Sequence, residues 1–238
     1  MVKSSEQTNY YTLSEFPSKD LLVEELSKKI VDTLQDAVDS KGYATLAVSG
    51  GSTPKVLFQR LSEIYFPWEK VRVTLVDERW VDPQSEQSNE KLVRSHLLQN
   101  YAQEARFVPL KTNGMFANDS IVSLNVELEK LSHQLDVVVL GMGLDGHTAS
   151  FFPNAKELKN ALQTEDLVCS ITANVEPKER VTLSRKYLLS SQNIFLHIEG
   201  KEKKEVFFKA TKISQMYQYP IVSMMKQEDP ILEVYYAD

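Results

Sequence analysis

The sequence predicts an α/β protein with a mostly parallel, Rossmann-like sheet and helices on both of its faces. Two observations support this prediction. Short aliphatic runs alternate along the chain with amphipathic stretches of helical length, and such alternation is typical of parallel sheets joined by helical crossovers. The run Val137–Leu140 contains no polar residue, as expected for a strand that is buried on both faces. We therefore expect functional loops at the carboxyl edge of the sheet.

The first predicted helix begins at about Ser18 and ends at Gly42, a preferred helix terminator. Between them, apolar residues occupy positions 22, 26, 30, 34 and 38, which is the spacing of one helix face. A strand at 43–48 follows. This helix and this strand begin the alternating pattern.

The segment SGGSTP follows that strand and fits a phosphate-binding turn. Gly50 and Gly51 let a ligand approach the backbone closely, and the amides at the start of the next helix favour an anion. Ser52 or Thr53 is expected to cap that helix, with Pro54 in its first turn. A tight turn without a ligand explains the motif equally well, so the motif alone leaves both interpretations open.

The remaining elements continue the alternation to the end of the chain. They are a strand at 71–76, helices at 88–98 (capped by Ser88) and 119–131, the strand Val137–Leu140, strands at 167–173, 181–184 and 194–199, a helix at 201–212 and a short strand at 233–236. No internal repeat, low-complexity tract or flexible linker divides the sequence. We therefore expect one domain that spans residues 1–238.

Charge and hydropathy argue against several classes of partner. The formal net charge is −6, which gives no general attraction to nucleic acids or anionic membranes. The N-terminal sequence lacks the apolar core of a signal peptide, and no window approaches the length of a membrane span. We expect a cytoplasmic protein with no nucleic-acid and no membrane partner.

The cysteine and the histidines do not form a metal-binding pattern. Cys169 is the only cysteine, which excludes an intramolecular disulfide, and it lies in an apolar run where we expect it to be buried and inert. The four histidines are scattered without the spacing of metal ligands. No structural metal is expected.

The loop GMGLDGH after the strand Val137–Leu140 is the most informative segment. It matches the GxGxxG pattern of dinucleotide-binding proteins, but Pro153 interrupts the chain too early for the helix that this fingerprint requires, and no acidic residue ends a second strand at the expected distance. We therefore expect no dinucleotide site. Asp145 and His147 lie beyond the carboxyl end of a buried strand, where parallel sheets bind ligands.

His147 is a candidate general base. The alternative is a histidine that only packs or caps, but a turn with three glycines and an acid is a costly setting for a purely structural residue. A neutral imidazole, whose unperturbed pKa is about 6.5, can take a proton from water at physiological pH. We favour a functional role for His147.

Charged residues also lie near the ends of other predicted strands. Asp77 and Arg79 belong to DERW after the strand at 71–76, Arg180 precedes the strand at 181–184, and Lys203 lies in the first turn of a helix. Cations in that first turn oppose the helix dipole, so an anionic ligand nearby would stabilise them. Each group could instead be a solvated surface charge. Their convergence on one sheet edge favours a site.

Together the motifs SGGSTP, DERW, SNEKLVRSHLL and GMGLDGHTASFFP, followed by ERVTLS and GKEKKEVF, resemble the 6-phosphogluconolactonase family in order and spacing over nearly the whole chain. The resemblance implies a sugar-phosphate isomerase/deaminase-like fold. It also implies hydrolysis of 6-phospho-D-glucono-1,5-lactone to 6-phosphogluconate in the oxidative pentose phosphate pathway, without a metal or organic cofactor. The expected partner is this small-molecule phosphosugar lactone, and the chain is expected to be a monomer or a weak dimer.

The same resemblance implies roles for individual residues. His147 matches the family's general base, and Asp145 and Asp77 would shape the site and orient its polar groups. The residues expected to hold the phosphate and sugar oxygens of the substrate are Gly50, Gly51, Ser52, Thr53, Asp77, Arg79, Arg180 and Lys203.

Two alternatives share the implied fold. The aminosugar-6-phosphate deaminase/isomerase is similar through DGH but continues with an asparagine, a glutamate and a proline, where this chain has Phe151, Phe152 and Pro153. A phenylalanine cannot replace a carboxylate in proton transfer. A non-catalytic sugar-phosphate sensor would not need His147, and no DNA-binding segment is visible. The lactonase is therefore favoured.

Overall fold

The computed structural model describes residues 10–238, so the N-terminal segment that bears on the signal-peptide prediction lies largely outside the described residues. The strands are β1 (Tyr11–Phe16), β2 (Ala44–Val48), β3 (Val71–Leu75), β4 (Asp77–Arg79), β5 (Arg106–Val108), β6 (Val137–Leu140), β7 (Val168–Thr172), β8 (Glu179–Leu183), β9 (Asn193–Glu199) and β10 (Leu232–Ala237). The helices are α1 (Lys19–Lys41), α2 (Lys55–Ser62), α3 (Asn89–His96), α4 (Ile121–Leu131), α5 (Leu158–Gln163), α6 (Arg185–Leu189) and α7 (Lys201–Ile213).

Seven strands form one parallel sheet in the order β1-β10-β9-β6-β2-β3-β5. Every residue of β2 and β6 is buried, which requires cover on both faces of the sheet. Helix α1 packs against β2 and β10, and α7 packs against β9. The predicted α/β class, with a mostly parallel sheet flanked by helices, is confirmed.

A second, antiparallel sheet has the order β4-β8-β7. The alternation of strands and helices in the sequence gave no sign of it, because hydrophobic periodicity identifies a strand and not the sheet that the strand joins. This small sheet begins just after β3, since only Val76 separates β3 from β4. It thereby carries charged residues to the carboxyl edge of the main sheet.

The direction of chain progression in the main sheet reverses between β2 and β6. From β2 the chain moves outward through β3 to β5, and β6 then returns to the opposite side of β2. Ligands of doubly wound sheets bind at such a switch point. The loops after β2 and β6 are joined there, because the Ser49 amide donates to the Val139 carbonyl at 3.0 Å and the Gly141 amide donates to Ser49 Oγ at 3.3 Å.

Of the two predicted side-chain caps, at Ser88 and at Ser52 or Thr53, the first is confirmed. Ser18 also caps a helix, since its Oγ accepts from the Leu21 amide at 3.3 Å at the start of α1. Ser88 caps α3 through the Lys91 amide at 3.2 Å. The prediction that Ser52 or Thr53 caps α2 is wrong, because the N-cap is Pro54 and no side chain caps this helix. Its first amides are left without a side-chain partner.

Five short elements lack a sequence signal and were not predicted: β1, β4, β5, α5 and α6. Strands β1 and β5 are the two edges of the main sheet, and their residues are only partly buried. An edge strand needs no continuous apolar run, so its pattern is weak. Cys169 in β7 is 4% exposed, as predicted, and burial raises the pKa of its thiol to about 12.

A buried carboxylate ties the start of β6 to the start of β2. Asp136 is fully buried, and one of its oxygens accepts from both the amide and the hydroxyl of Thr45 at 2.7 and 2.8 Å. Its other oxygen forms an ion pair with Lys41 at 2.7 Å. A buried charge is tolerated only with such partners. This cluster fixes the relative positions of the two strands that end at the switch point.

Candidate active site

A cleft of about 270 Å³ opens at the carboxyl edge of the main sheet. Its walls are the loops after β2 and β6, the end of β9, the start of α7, and the small sheet. Nine of the ten predicted site residues line it: Gly50, Gly51, Ser52, Thr53, Asp77, Arg79, His147, Arg180 and Lys203. The tenth, Asp145, lies beside His147. The structure therefore brings the predicted residues together.

His147 and Asp145 form a hydrogen-bonded pair at one end of the cleft. The imidazole Nδ1 lies 2.5 Å from Asp145 Oδ1, and the His147 amide donates to the same oxygen at 3.1 Å. An aspartate that accepts from Nδ1 fixes the imidazole tautomer and leaves Nε2 for a ligand. Burial raises the pKa of Asp145, but the hydrogen bond and charge of His147 outweigh burial and lower it.

Glycine at two positions allows this loop to fold. Gly143 packs directly on the His147–Asp145 pair. A Cβ at this position would lie 2.2 Å from His147 Cε1 and 2.8 Å from Asp145 Oδ1. Gly146 has a φ of +77°, a conformation that L side chains rarely adopt. The His147 ring packs on Phe152 with a centroid separation of 4.5 Å. Packing and the aspartate together hold the imidazole in one orientation.

The turn between β2 and α2 presents unpaired backbone donors to the cleft. Within residues 10–238, the amides of Gly50, Gly51, Ser52 and Thr53 have no intramolecular acceptor. Asn89 packs so closely on Gly50 that a Cβ would lie 1.8 Å from Asn89 Oδ1. Free amides at a helix N-terminus form an anion-binding site. These unpaired amides favour the interpretation of SGGSTP as a phosphate-binding turn over its interpretation as a turn without a ligand.

Two arginines meet on the small sheet. Arg79 of β4 and Arg180 of β8 are direct partners in the antiparallel register, a placement in which like charges repel. Arg180 is only 3% exposed, and both its burial and the charge of Arg79 lower its pKa. Among the described residues, Arg79 Nε has no hydrogen-bond partner. An anionic or strongly polar ligand would relieve the repulsion and supply the missing acceptor.

Lys203 and Asp77 occupy two further walls. Lys203 Nζ donates to Thr53 Oγ1 at 3.2 Å, and burial lowers the pKa of this lysine. The lysine therefore lies next to the turn with the free amides. Asp77 is 7% exposed and accepts from Ser150 Oγ at 2.5 Å. It contributes a second carboxylate that is separate from the His147–Asp145 pair.

The sequence did not predict two residues that line the cleft, Asn89 and His197, or the role of the neighbouring buried residue Glu78. Glu78 looked like a solvated charge, yet it is 1% exposed and accepts from Ser88 Oγ and from the amides of Arg79, Asn89 and Glu90. Burial raises its pKa, which these hydrogen bonds oppose. Asn89 Nδ2 donates to the Asp77 carbonyl at 2.8 Å. The available signal was their place in the sequence: Glu78 belongs to DERW, Asn89 to SNEKLVRSHLL, and His197 lies just before GKEKKEVF.

No group of three or more His, Cys, Asp or Glu side chains in residues 10–238 is arranged to hold a metal ion. In the same part of the chain, no helix has the length and apolar composition needed to cross a membrane.

The family model described as glucosamine-6-phosphate isomerases/6-phosphogluconolactonase matches residues 17–232. A 6-phosphogluconolactonase of Rhizobium meliloti is 41% identical over 224 residues, which cover 93% of this chain and 97% of that protein. One from Neisseria meningitidis serogroup B is 38% identical over 219 residues, covering 90% and 93%.

Solved structures show the same relationship. The crystal structure of a 6-phosphogluconolactonase from Shewanella baltica has a TM-score of 0.94 and 40% identity, and the match covers 96% of this chain and 98% of that one. A monomeric glucosamine-6-phosphate deaminase has a TM-score of 0.80 at 17% identity, with coverage of 95% and 97%. The latter similarity shows a shared fold alone.

Proposed function

The chain belongs to the family of glucosamine-6-phosphate isomerases and 6-phosphogluconolactonases, and from this premise we infer how its cleft carries out the lactonase reaction. The reaction is the hydrolysis of 6-phospho-D-glucono-1,5-lactone to 6-phosphogluconate, in the oxidative pentose phosphate pathway. It opens a cyclic ester, so the cleft must supply a base for water, donors for the oxyanion that develops, and a grip on the phosphate.

The His147–Asp145 pair is the observation on which the mechanism rests. We assign His147 Nε2 as the general base, because Nδ1 is engaged with Asp145 at 2.5 Å and the ring lines the cleft. Nε2 takes a proton from a water molecule while that water attacks the lactone carbonyl. The tetrahedral intermediate then collapses with cleavage of the bond between the carbonyl carbon and the ring oxygen, and the His147 imidazolium returns its proton to that oxygen, which leaves as a hydroxyl. Asp145 stabilises the imidazolium that forms and holds the tautomer, as carboxylates do in other base pairs of this kind.

We assign the phosphate to the free amides of residues 50–53 and to Lys203. Four unpaired N–H groups, the N-terminus of α2 and a lysine that already touches Thr53 form an anion site of the kind found at helix N-termini. The phosphate does not react. Its binding energy orients the lactone against the base.

The Arg79–Arg180 pair is assigned to the remaining substrate oxygens. Arg180 and His147 both pack against Phe152, at 5.7 and 4.5 Å from its ring centroid, so the arginine pair lies on the same side of the cleft as the base. Developing negative charge on the carbonyl oxygen gains from buried cations with little competing water. Asp77, with Ser150, orients polar groups in this part of the site.

The deaminase alternative is disfavoured at Phe152. The resemblance aligns this residue with the glutamate that supports the catalytic histidine in the deaminase branch, and here an apolar ring packs against His147 instead. Proton transfer through that position is therefore absent from the chemistry we assign. A histidine supported only by Asp145 suits the activation of water.

We also infer the domain organisation, the oligomeric state and the cellular location of the protein. We infer a single domain over residues 1–238, because the main sheet and the small sheet both line the cleft. One chain supplies all of the site residues named above, which supports a monomer or a weak dimer. The substrate is a charged metabolite, which supports a cytoplasmic location, and the steps above use only side chains, backbone amides and water.

The activity is tested by acid release from freshly generated 6-phosphogluconolactone, measured against its spontaneous hydrolysis, with ammonia release from glucosamine-6-phosphate measured in parallel. We expect acceleration of the first reaction and none of the second. Ammonia release without lactone hydrolysis would replace the lactonase with the deaminase. Binding of either sugar phosphate without turnover would favour a sensor.

A further inference from the structure

A second histidine faces the cleft and has no role in the mechanism above. His197 lies near the carboxyl end of β9, directly after Leu196, the register partner of Leu140 on β6. Its position thus corresponds to the first residue after β6, the strand that carries the loop of the base. His197 is 2% exposed and lines the cleft.

One ring nitrogen of His197 is fixed by a carboxylate. Nε2 lies 3.0 Å from Glu199 Oε1, while the other oxygen of Glu199 forms an ion pair with Lys19 at 3.2 Å. The hydrogen bond with His197 is the largest cause that lowers the pKa of Glu199. A carboxylate that accepts from Nε2 places the proton on that nitrogen, so Nδ1 carries a lone pair and is an acceptor.

Within the described residues, Nδ1 of His197 has no hydrogen-bond partner. Within residues 10–238, the only buried side-chain polar atoms that lack a hydrogen-bond partner are Nδ1 of His197 and Nε of Arg79, and both belong to residues that line the cleft. An unpaired buried acceptor costs free energy, and native structures rarely leave one without a functional reason. Both unpaired atoms point to the same conclusion, that the cleft is complete only with a ligand.

We propose that His197 is a substrate-binding residue whose Nδ1 accepts a hydrogen bond from a hydroxyl of the bound phosphosugar, and that Glu199 is its positioning residue. This inference rests on the proposed function, which supplies a ligand with sugar hydroxyls. The hydroxyl is the group of that ligand that can donate, whereas a phosphate dianion offers only acceptors. Because Nδ1 exposes less than 1 Å², this contact requires a small movement of the imidazole ring.

The arrangement repeats that of His147 with the two nitrogens exchanged. Asp145 engages Nδ1 of one histidine and leaves Nε2 for water, while Glu199 engages Nε2 of the other and leaves Nδ1 for the sugar. Lys203, one turn into α7, also interacts electrostatically with Glu199. The acceptor therefore lies on the wall that carries the phosphate-binding lysine, and it would distinguish a hydroxylated sugar phosphate from other phosphate esters.

Two substitutions of His197 separate its two nitrogens. His197→Asn keeps an acceptor near the Nδ1 position and loses the contact with Glu199, whereas His197→Gln reaches toward Glu199 and leaves the Nδ1 position empty. We expect His197→Gln to raise KM for the lactone and Kd for 6-phosphogluconate by roughly three- to tenfold, the value of one neutral hydrogen bond, with kcat nearly unchanged. His197→Asn should stay within about twofold of the wild type.

A third variant and a control protect the test against misfolding. Glu199→Gln leaves the ring intact but no longer fixes its proton on Nε2, so KM should rise as in His197→Gln. His133→Asn, at an exposed histidine, should change neither constant. Equal KM values for the wild type, His197→Gln and Glu199→Gln would overturn the proposal. So would the reverse order, with His197→Asn the worse variant, because that order indicates only a structural contact with Glu199.

Inorganic phosphate as a competitive inhibitor distinguishes the two ends of the substrate. Its inhibition constant should be the same in the wild type and in His197→Gln, since the proposed contact is to a hydroxyl. A parallel weakening of phosphate inhibition would place Nδ1 at the phosphate and overturn the assignment. Binding of 6-phosphogluconate is measured by calorimetry without turnover, so a failure of the lactonase activity is distinguishable from a failure of this inference.

Discussion

Substitution of Gly143 by alanine should disable the base without unfolding the protein. The new Cβ would lie 2.2 Å from His147 Cε1 and 2.3 Å from Nδ1, roughly 1 Å inside ordinary contact. The imidazole must move by about that distance or give up its hydrogen bond with Asp145. A displacement of about 1 Å at a reacting group costs on the order of 10²-fold in rate. We therefore expect kcat for lactone hydrolysis to fall about 100-fold in Gly143→Ala.

Gly141→Ala in the same loop is the matched control. A Cβ at Gly141 meets no atom within 4 Å, so kcat should stay within about twofold of the wild type. Both variants are assayed by initial rates of acid release, with the spontaneous rate subtracted and folding checked by circular dichroism. Wild-type kcat in a folded Gly143→Ala would refute the claim that the His147–Asp145 geometry limits the reaction.

Three further predictions concern individual side chains. Asp145→Asn should lower kcat by roughly 10²- to 10⁴-fold, because the amide no longer fixes the tautomer of His147. The hydrogen bond and charge of His147 outweigh burial and lower the pKa of Asp145. The pair therefore stabilises the fold at neutral pH, and this stability is lost as the pH falls through the folded-state pKa of Asp145. Acid should destabilise the wild type more than Asp145→Asn. Lys203→Ala should raise KM about 10- to 100-fold at little cost in kcat, as for a charged hydrogen bond to phosphate. Asp136→Ala should lower the free energy of unfolding by about 3 kcal/mol, because a fully buried carboxylate with three donors is removed.

Controls for these predictions come from exposed residues of the same type. Lys201→Ala, in the first turn of α7 with a side chain that is 80% exposed, should leave KM unchanged. Asp32→Ala, at an exposed position of α1, should change the unfolding free energy by less than about 0.5 kcal/mol in a urea titration. An unchanged KM for Lys203→Ala would remove the lysine from the phosphate site, and an Asp136→Ala variant as stable as the Asp32→Ala control would contradict the role given to the buried carboxylate.

The sequence predicted most of the main sheet because its central strands carry an unambiguous signal. The run before GMGLDGH is wholly aliphatic, and the run before SGGSTP is apolar apart from Thr45. Each leads into a glycine-containing loop, so their carboxyl ends could be placed at one sheet edge. The cap at Ser88 was also predicted, because a serine directly before an amphipathic stretch is a typical N-cap. The predicted cap at Ser52 or Thr53 was wrong. The Thr53 hydroxyl faces the cleft, where it accepts a hydrogen bond from Lys203.

What the sequence did not predict depends on contacts between distant segments. The pairing of Arg79 with Arg180 spans about a hundred residues and exists only because β4 and β8 form a separate sheet. In the sequence, Glu78 is typical of a solvated charge. In the structure, its carboxylate accepts from backbone amides at the N-terminus of α3. His197 lies within an apolar strand, and only the proximity of Glu199 and the cleft distinguishes it from a packed histidine. Local patterns carry no information about such proximity.

The role of His147 is tested most directly by acid release from freshly generated 6-phosphogluconolactone, measured with the wild type and with His147→Ala and compared with the spontaneous background. We expect the wild type to accelerate hydrolysis and the variant to lose about 10²- to 10⁴-fold in turnover while it still binds 6-phosphogluconate. Equal acceleration by both proteins would keep the lactonase and contradict His147 as its base.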